Sequence, residues 1–542
     1  TDKREDLRDV PIIAIDPADA RDHDDAIWAA PDDAEDNKGG FRAIVAIADV
    51  SHYVRPGGAL DREARKRGNS VYFPDRVIPM LPEILSADVC SLKAGEDRAA
   101  MVCHLKISPE GELLKWRFTR AVVRLAENVA YEEAQRRIDA GEADETLDNL
   151  WKAWGLLWKA REARDPLDLD LPERRVILDE EGGIAEIRVH ERLDAHRVVE
   201  DFMIAANVAA AKALESKNSP VVYRVHEQPS REKLLALKEY LGTQDKKLAM
   251  GQVITPTLFN RFLKDVSDEQ EKALLMEAVL RTQTQAYYGS DNQGHFGLAL
   301  GSYAHFTSPI RRYADLLVHR ALVDTFKLEQ AKPQGKMASK LPEHSGLSDV
   351  DRDDLGKISE AISRTERRAM EAERDTIDRY VAAWLAGRVG ETFDTRITGV
   401  QNFGFFATIV GLGGDGLVPI STIGDEYFHF DEAAKALIGS DTGTRYETGQ
   451  KLEMKLVEAN PLTGALRFEV PGGDASKAKE GRPRGGQGRP HNDGPKGGGQ
   501  KKGGARKDGP RKDGARKDKA GKHQVGKRGR PGNIRHQGRK KK

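Results

Sequence analysis

Ile15-Asp16-Pro17-Ala18-Asp19-Ala20-Arg21-Asp22-His23-Asp24-Asp25-Ala26 sets five carboxylates within ten residues. Apolar stretches lie on either side of it, residues 10–15 leading in and 26–29 leading out. Like charges this close repel, and burying them unpaired is prohibitive, so something positive must sit among them. Magnesium is the natural candidate, because hard cations take carboxylate oxygens and keep several waters. The competing readings are a solvated acidic loop, a helix cap or a calcium loop. The D-x-[DN]-x-[DN]-G spacing and closing Glu of a calcium loop are absent, and a solvated loop needs no apolar strand on both sides. Taken alone, the segment leaves a catalytic metal site and an acidic loop both open.

Working outward, residues 12–15, 41–50, 101–107 and 113–123 read as strands, the last two joined by the turn Pro109-Glu110-Gly111. The middle of the chain reads as helical. Val198, Val199, Phe202, Met203, Ala206 and Ala210 recur at helical spacing through 193–216, and further helices are expected at 230–241, 268–285, 310–327 and 349–386. Residues 328–347, rich in Pro, Gly, Ser and Lys, read as an exposed insertion. Residues 388–470 alternate short β-rich runs (392–398, 404–409, 416–419, 451–458, 466–470) with Gly, Asn and Asp turns, which suits an OB-type barrel. Phe403, Phe405 and Phe406 flank Gly404 there. At least one must be core, and exposed members would serve as stacking platforms for single-stranded bases.

The 542 residues carry 87 Lys+Arg and 87 Asp+Glu, a net charge of zero that hides a division. Residues 471–542 hold 24 basic and six acidic side chains, 19 Gly and no aromatic residue, so the tail carries +18 and the rest −18. Such a tail cannot bury enough apolar surface to offset the entropy of ordering, and it reads as disordered. Its Arg-Lys-Asp steps at 506, 511 and 516 are low complexity and not a folding repeat. Basic runs attract polyanions without reading sequence, so the tail is expected to contact RNA or ribosomes. Two cysteines, Cys90 and Cys103, exclude a disulfide framework and fit a cytoplasmic protein. No apolar stretch approaches a membrane span. The chain opens on Thr1, which reads as an excised or processed piece.

A second segment bears on the first: Tyr303-Ala304-His305-Phe306-Thr307-Ser308-Pro309-Ile310-Arg311-Arg312-Tyr313-Ala314-Asp315. Thr307 or Ser308 would cap a helix that Pro309 begins. Arg311 and Arg312 would then stand beside unpaired amides, a good place for a phosphate. An acidic metal cluster and a basic helix start together describe a phosphodiester site, with metals on the nucleophile and leaving oxygen and guanidinium on the added charge.

With these blocks, Ile47-Ala48-Asp49-Val50-Ser51-His52-Tyr53-Val54, Gly68-Asn69-Ser70-Val71-Tyr72-Phe73-Pro74, Ile78-Pro79-Met80-Leu81-Pro82 and Gly294-His295-Phe296-Gly297-Leu298, the chain resembles the ribonuclease II/ribonuclease R family of processive 3′→5′ exoribonucleases. The match spans about residues 8–386, and 388–470 resembles the S1-type RNA-binding domain that follows in this family. The basic tail brings it closer to ribonuclease R.

The resemblance implies an α+β fold: an RNB-type catalytic domain (1–387, a mixed sheet with surrounding helices), an S1-type OB barrel (388–470) and the tail (471–542). It implies hydrolysis of single-stranded RNA from its 3′ end to nucleoside 5′-monophosphates. Asp16, Asp22, Asp24 and Asp25 would be the metal-binding carboxylates, holding two Mg²⁺ with Mn²⁺ as the other candidate, and Asp24 would be catalytic. Arg311 would contact the scissile phosphate, with Arg312 as the second choice. Tyr72 would clamp the terminal base, Tyr223 would be its partner, Glu371 would line the cavity, and Phe403 and Phe406 would bind RNA. Asp19 has no counterpart. Family members carry cold-shock-type domains before the catalytic block; these residues hold none, so an N-terminal portion is expected to be missing. A monomer without membrane contact is expected. The competing functions are a non-catalytic RNA-binding protein with a structural metal site and a metal-dependent endoribonuclease.

Overall fold

The aspartate-rich loop divides its apolar surroundings into two strands, and the rest of the sheet assembles beside them. The computed structural model of the protein describes residues 4–169, 173–190, 192–243, 246, 248, 253–333, 340–432 and 434–471. The basic tail beyond Pro471 lies outside the described residues. The strands in chain order are β1 (Glu5–Leu7), β2 (Ile13–Asp16), β3 (Asp25–Pro31), β4 (Phe41–Ala48), β5 (Val71–Tyr72), β6 (Val77–Ile78), β7 (Asp97–Ile107), β8 (Leu113–Arg124) and β9 (Glu127–Ala130). Seven of them form one sheet in the order β1-β8-β7-β4-β3-β2-β9, while β5 and β6 make a separate hairpin. β1 runs parallel to β8 and β2 parallel to β9; the other neighbours are antiparallel, so the sheet is mixed. β4 sits at its centre and is buried from Ala43 to Ala48, which explains the continuous apolar run that follows its exposed Arg42. β7 begins at Asp97, earlier than its apolar run suggests, because the ladder with β8 continues until Asp97 lies opposite Arg124.

Helices surround this sheet. Asp194–Glu215 buries Val198, Phe202, Ala206 and Ala210 as the helical spacing predicts. Tyr131–Asp139 and Glu145–Arg164 fall outside the helices expected above. The second of these spreads Trp151, Trp154 and Trp158 beyond its buried stripe of Leu147, Leu150 and Leu157, which blurs its periodicity.

Three expectations need correction. Residues 328–347 are not merely an exposed insertion. The fully buried Arg55 guanidinium donates to the carbonyls of Gln330, Ala331, Pro342 and Glu343, and Arg120 donates to Ser345 Oγ at 2.9 Å. The described parts of the segment are thereby pinned to the sheet domain. The helix expected from 310 begins at Tyr313, for reasons given below. The stretch 349–386 divides into Asp349–Asp353 and a long helix, Leu355–Ala386.

That long helix joins two cores. Ile358 and Ile362 pack in the main core, whereas Val381, Ala382 and Leu385 pack with Phe405, Val418, Met454 and Phe468. The latter residues fill a closed barrel of five strands, Thr392–Gln401, Gly404–Ile409, Gly413–Pro419, Ala465–Glu469 and Lys451–Asn460 in spatial order. A three-stranded sheet, Phe428–Asp431, Ala436–Gly439 and Arg445–Glu447, is appended to it and was not foreseen in the sequence. Among the described residues no helix is long and apolar enough to cross a membrane. Both cysteines are buried and free.

Candidate active site

Asp16 closes β2 and Asp25 opens β3, so Asp22 and Asp24 lie in the loop between two paired strands. The loop is fastened from below. Ser91 Oγ accepts from the His23 amide and donates to the Arg21 carbonyl, and the Leu92 and Ala48 amides donate to the carbonyls of His23 and Asp24. The four aspartates are thereby held on one rim of the sheet, where Asp16 and Asp24 both act electrostatically on Asp25.

Their environments differ. Asp16 Oδ2 lies 2.6 Å from His23 Nδ1, and this contact holds the imidazole pKa above its usual value. Asp22 Oδ2 accepts from the Tyr72 hydroxyl at 3.3 Å. Asp24 is 3% exposed. Its Oδ1 accepts from the Ile310 amide at 2.8 Å, and its Oδ2 is buried without a hydrogen-bond partner, 3.6 Å from Arg311 Nε. Burial pushes the Asp24 carboxyl up, against the pull of Arg311. Burial and the neighbouring Asp16 push Asp25 up to about 7.

The partners of Asp24 come from residues 308–312, and here the expected helix start is corrected. Ser308, Ile310 and Tyr313 give their amides to Asp315 Oδ1, Asp24 Oδ1 and the Gly68 carbonyl. With these amides claimed, residues 308–312 form a turn, and the helix Tyr313–Thr325 starts after Arg312. Arg311 and Arg312 then separate. Arg311 is partly exposed, donates from Nη2 to Ser308 Oγ at 3.1 Å and faces Asp24. Arg312 is clamped on Asp315 through two hydrogen bonds of 2.8 and 2.7 Å, so its guanidinium is already engaged.

A third segment completes the enclosure. Gly68–Ser70 runs beside Arg311–Tyr313, with the Ser70 amide donating to the Arg311 carbonyl. Tyr72 follows, its amide on Glu373 Oε1 of the long helix at 2.7 Å. Between these elements lies a cavity of about 230 Å³, lined by Tyr72, Arg311, Arg312, Tyr288, Glu366 and Glu373 among others.

Not every expected residue reaches this place. Tyr223 is buried in the strand Tyr223–Val225 with its hydroxyl on Glu215, and it does not line the cavity that Tyr72 lines. Side chains alternate along a strand, and it is the next residue, Arg224, that turns to the cavity wall. Its guanidinium lies 4.7 Å from the Tyr288 ring and pairs with Glu366 Oε2 at 2.7 Å. Tyr288 is therefore the aromatic residue that shares the cavity with Tyr72. Glu371 is exposed and does not line the cavity; Glu366 and Glu373, one heptad apart on the same helix face, do. That spacing was readable in the sequence once the helix was assigned. In the barrel, Phe405 is fully buried, whereas Phe403 and Phe406 are 50% and 38% exposed and meet edge to face at 6.2 Å.

Among the described residues, no three His, Cys, Asp or Glu side chains stand together as a ready-made metal cage. The donor chemistry nonetheless suits a hard divalent cation: oxygen ligands, adjacent like charges, and a buried carboxylate oxygen on Asp24 with nothing bound to it.

Comparison with known proteins finds matches to two domains. Residues 4–327 match the model of the RNB domain, and residues 388–470 match that of the S1 RNA binding domain. The chain is 38% identical to ribonuclease R of Vibrio cholerae over 476 residues, covering 86% of this chain and 57% of that protein. It thus spans little more than half the length of that relative. Structurally it is similar to Mycoplasma genitalium RNase R in complex with ribose methylated single-stranded RNA, with a TM-score of 0.78 and 28% identity, covering 86% of this chain and 72% of that one. The complex of the same enzyme with double-stranded RNA matches with a TM-score of 0.72 and 26% identity, covering 86% and 76%.

Proposed function

We propose that this chain, which belongs to the RNB domain family, is a 3′→5′ exoribonuclease that degrades single-stranded RNA processively to nucleoside 5′-monophosphates. One observation carries the reading: Asp24, almost fully buried, takes the Ile310 amide on one oxygen and turns its unpartnered oxygen toward Arg311. A carboxylate and a guanidinium drawn from distant parts of the chain suit a phosphodiester, because one can hold a cation and the other can meet the phosphate's charge. The similarity to an RNase R seen with single-stranded and double-stranded RNA supports the choice of RNA as substrate.

Asp16, Asp22, Asp24 and Asp25 would hold divalent cations, magnesium being favoured by an all-oxygen donor set and two ions by the number of carboxylates. When bound, the ions supply an activated water and neutralise charge on the leaving oxygen. The chain's own side chains do the rest. Arg311 stabilises negative charge that develops on the phosphate, its reach fixed by Ser308 Oγ. Tyr72 offers a ring for the terminal base, its hydroxyl tied to Asp22. Tyr288, covered by Arg224, lines the same cavity. Arg312 lines the same cavity while paired with Asp315, and would be a second, less available contact for RNA. Phe403 and Phe406 give the barrel two exposed rings for single-stranded bases. The basic tail would add sequence-independent attraction to RNA. Discrimination against DNA would rest on contacts to the 2′-hydroxyl.

Incubating the chain with 5′-labelled single-stranded RNA and magnesium tests the reading. Progressive shortening with release of nucleoside 5′-monophosphates is expected. Intact RNA that stays bound would favour a binding protein, and internal fragments would favour an endonuclease.

A further inference from the structure

We infer that Asp315 is a positioning residue that sets the direction of Arg311; this rests on the exoribonuclease reading above. Asp315 lies on the first turn of the helix Tyr313–Thr325, fully buried, and touches neither the cavity nor the aspartate loop directly. Its Oδ1 accepts from the Ser308 amide at 2.7 Å and from Arg312 Nη2 at 2.7 Å, while Oδ2 accepts from Arg312 Nε at 2.8 Å. One carboxylate thereby grips both ends of the turn 308–312. The groups that leave this turn toward the chemistry are the Ile310 amide, on Asp24 Oδ1 at 2.8 Å, and the Arg311 side chain. Arg311 in turn is steered by Ser308 Oγ, which accepts from Nη2 at 3.1 Å and belongs to the residue whose amide Asp315 holds. The sequence of contacts is Arg312 to Asp315, Asp315 to Ser308, Ser308 to Arg311.

A charged side chain buried with a bidentate arginine is expected to fix geometry even where it adds little net stability. Here the fixed object is a turn of five residues with the phosphate-facing guanidinium on it. Arg311 is partly exposed and, without the turn held at both ends, would sample many directions. Displacement of a reacting group by about 1 Å can lower turnover by roughly 10²-fold. The defect belongs in kcat, because the RNA held along the barrel and the clamp is unaffected.

Turnover of a short single-stranded RNA should be measured for wild type, Asp315→Asn, Ser308→Ala, Arg311→Lys and the two double variants with Arg311→Lys, with thermal melts alongside. Asp315→Asn keeps an acceptor for the Ser308 amide but loses the charge that clamps Arg312. Its kcat is expected to fall roughly 10- to 100-fold with KM nearly unchanged. Ser308→Ala should give a smaller fall of the same kind and a melt near wild type. In the Arg311→Lys background, which lacks the steered nitrogen, both changes should have little further effect. Multiplying effects in the double variants, or wild-type turnover by Ser308→Ala, would overturn the inference. If Asp315→Asn fails to fold, the Ser308 pair decides alone. A folded wild type that leaves RNA intact would overturn the exoribonuclease reading, and this inference with it. An active wild type with multiplying double variants would overturn this inference only.

Discussion

Asp24 is the residue where loss of charge and loss of fold can be separated. Asp24→Asn keeps an oxygen for the Ile310 amide and removes only the carboxylate charge, so the turn 308–312 should keep its place. Cleavage is expected to drop by about 10²-fold or more, because the variant loses a carboxylate that would hold a cation. RNA affinity, measured by fluorescence anisotropy, should stay within a few-fold of wild type; normal turnover would refute the role given to Asp24. A second residue carries a pH signature away from the chemistry. His319 is fully buried, shares a 2.7 Å hydrogen bond through Nε2 with the Phe306 carbonyl, and has a buried Nδ1 without a partner. Burial lowers its pKa to about 4, against an unfolded value near 6.5. Below about 6.5 the unfolded chain binds a proton that the folded chain refuses, so stability falls as pH drops toward 4, by up to roughly 3 kcal/mol. Urea midpoints of wild type should slope across that window, and those of His319→Gln should slope less. An unchanged slope would show that the imidazole reaches solvent when charged.

Elements carry the next two expectations. Gly68 has a φ of +77°, and a Cβ there would stand 1.9 Å from Thr365 Oγ1 of the long helix. Its carbonyl receives the Tyr313 amide, and the same segment leads to Tyr72. Gly68→Ala should therefore destabilise by about 1–3 kcal/mol and lower turnover together. Adding Thr365→Ala should recover part of both, because it removes the closest contact and leaves the residue 365 Cβ at 2.8 Å and the backbone strain; no recovery would locate the fault in those two. At the other end of the long helix, Leu385 is fully buried in the barrel core. Leu385→Ala should cost about 2–5 kcal/mol. It should weaken RNA binding more than cleavage of a bound short oligonucleotide, as read by a KM-to-kcat comparison; equal losses in both would show that the helix transmits barrel position into the cavity. Strands β4, β7 and β8 and the five barrel strands were legible in the sequence because apolar runs and turn residues report local preference. The start at Tyr313 was not, because the amides that end the turn are claimed by Asp24 and Gly68, residues far away in the chain. The site followed the same rule. The aspartates and Arg311 stood in recognisable blocks, whereas Tyr288 emerged only when the fold decided which face of a three-residue strand looks into the cavity.

The division of charge, −18 before residue 471 and +18 after it, poses the question for the molecule as a whole. An acidic body should repel a polyanion at long range, so association depends on where the positive charge is concentrated. Two uses of the tail make opposite forecasts. If it meets RNA, it displaces counterions from phosphates, each contact contributing about −0.7 to the salt slope of binding to a single strand. Removing residues 471–542 should then weaken binding by roughly tenfold or more at low salt. The same truncation should flatten the slope by several units and leave kcat on a short oligonucleotide unchanged. If the tail instead neutralises the acidic body, its removal exposes the repulsion, and the steeper loss appears in the association rate rather than in the slope. Anisotropy titrations of both forms across a range of salt, paired with stopped-flow association, separate the two. The first outcome is the one expected, because low-complexity Lys/Arg steps broken by Gly can follow a flexible polyanion, whereas the most buried acidic residues of the body, such as Asp49 and Asp61, are already paired internally with Arg120 and Arg320. A truncated chain that binds RNA as tightly as the full one at low salt would leave the barrel and the clamp as the sole grip on the substrate.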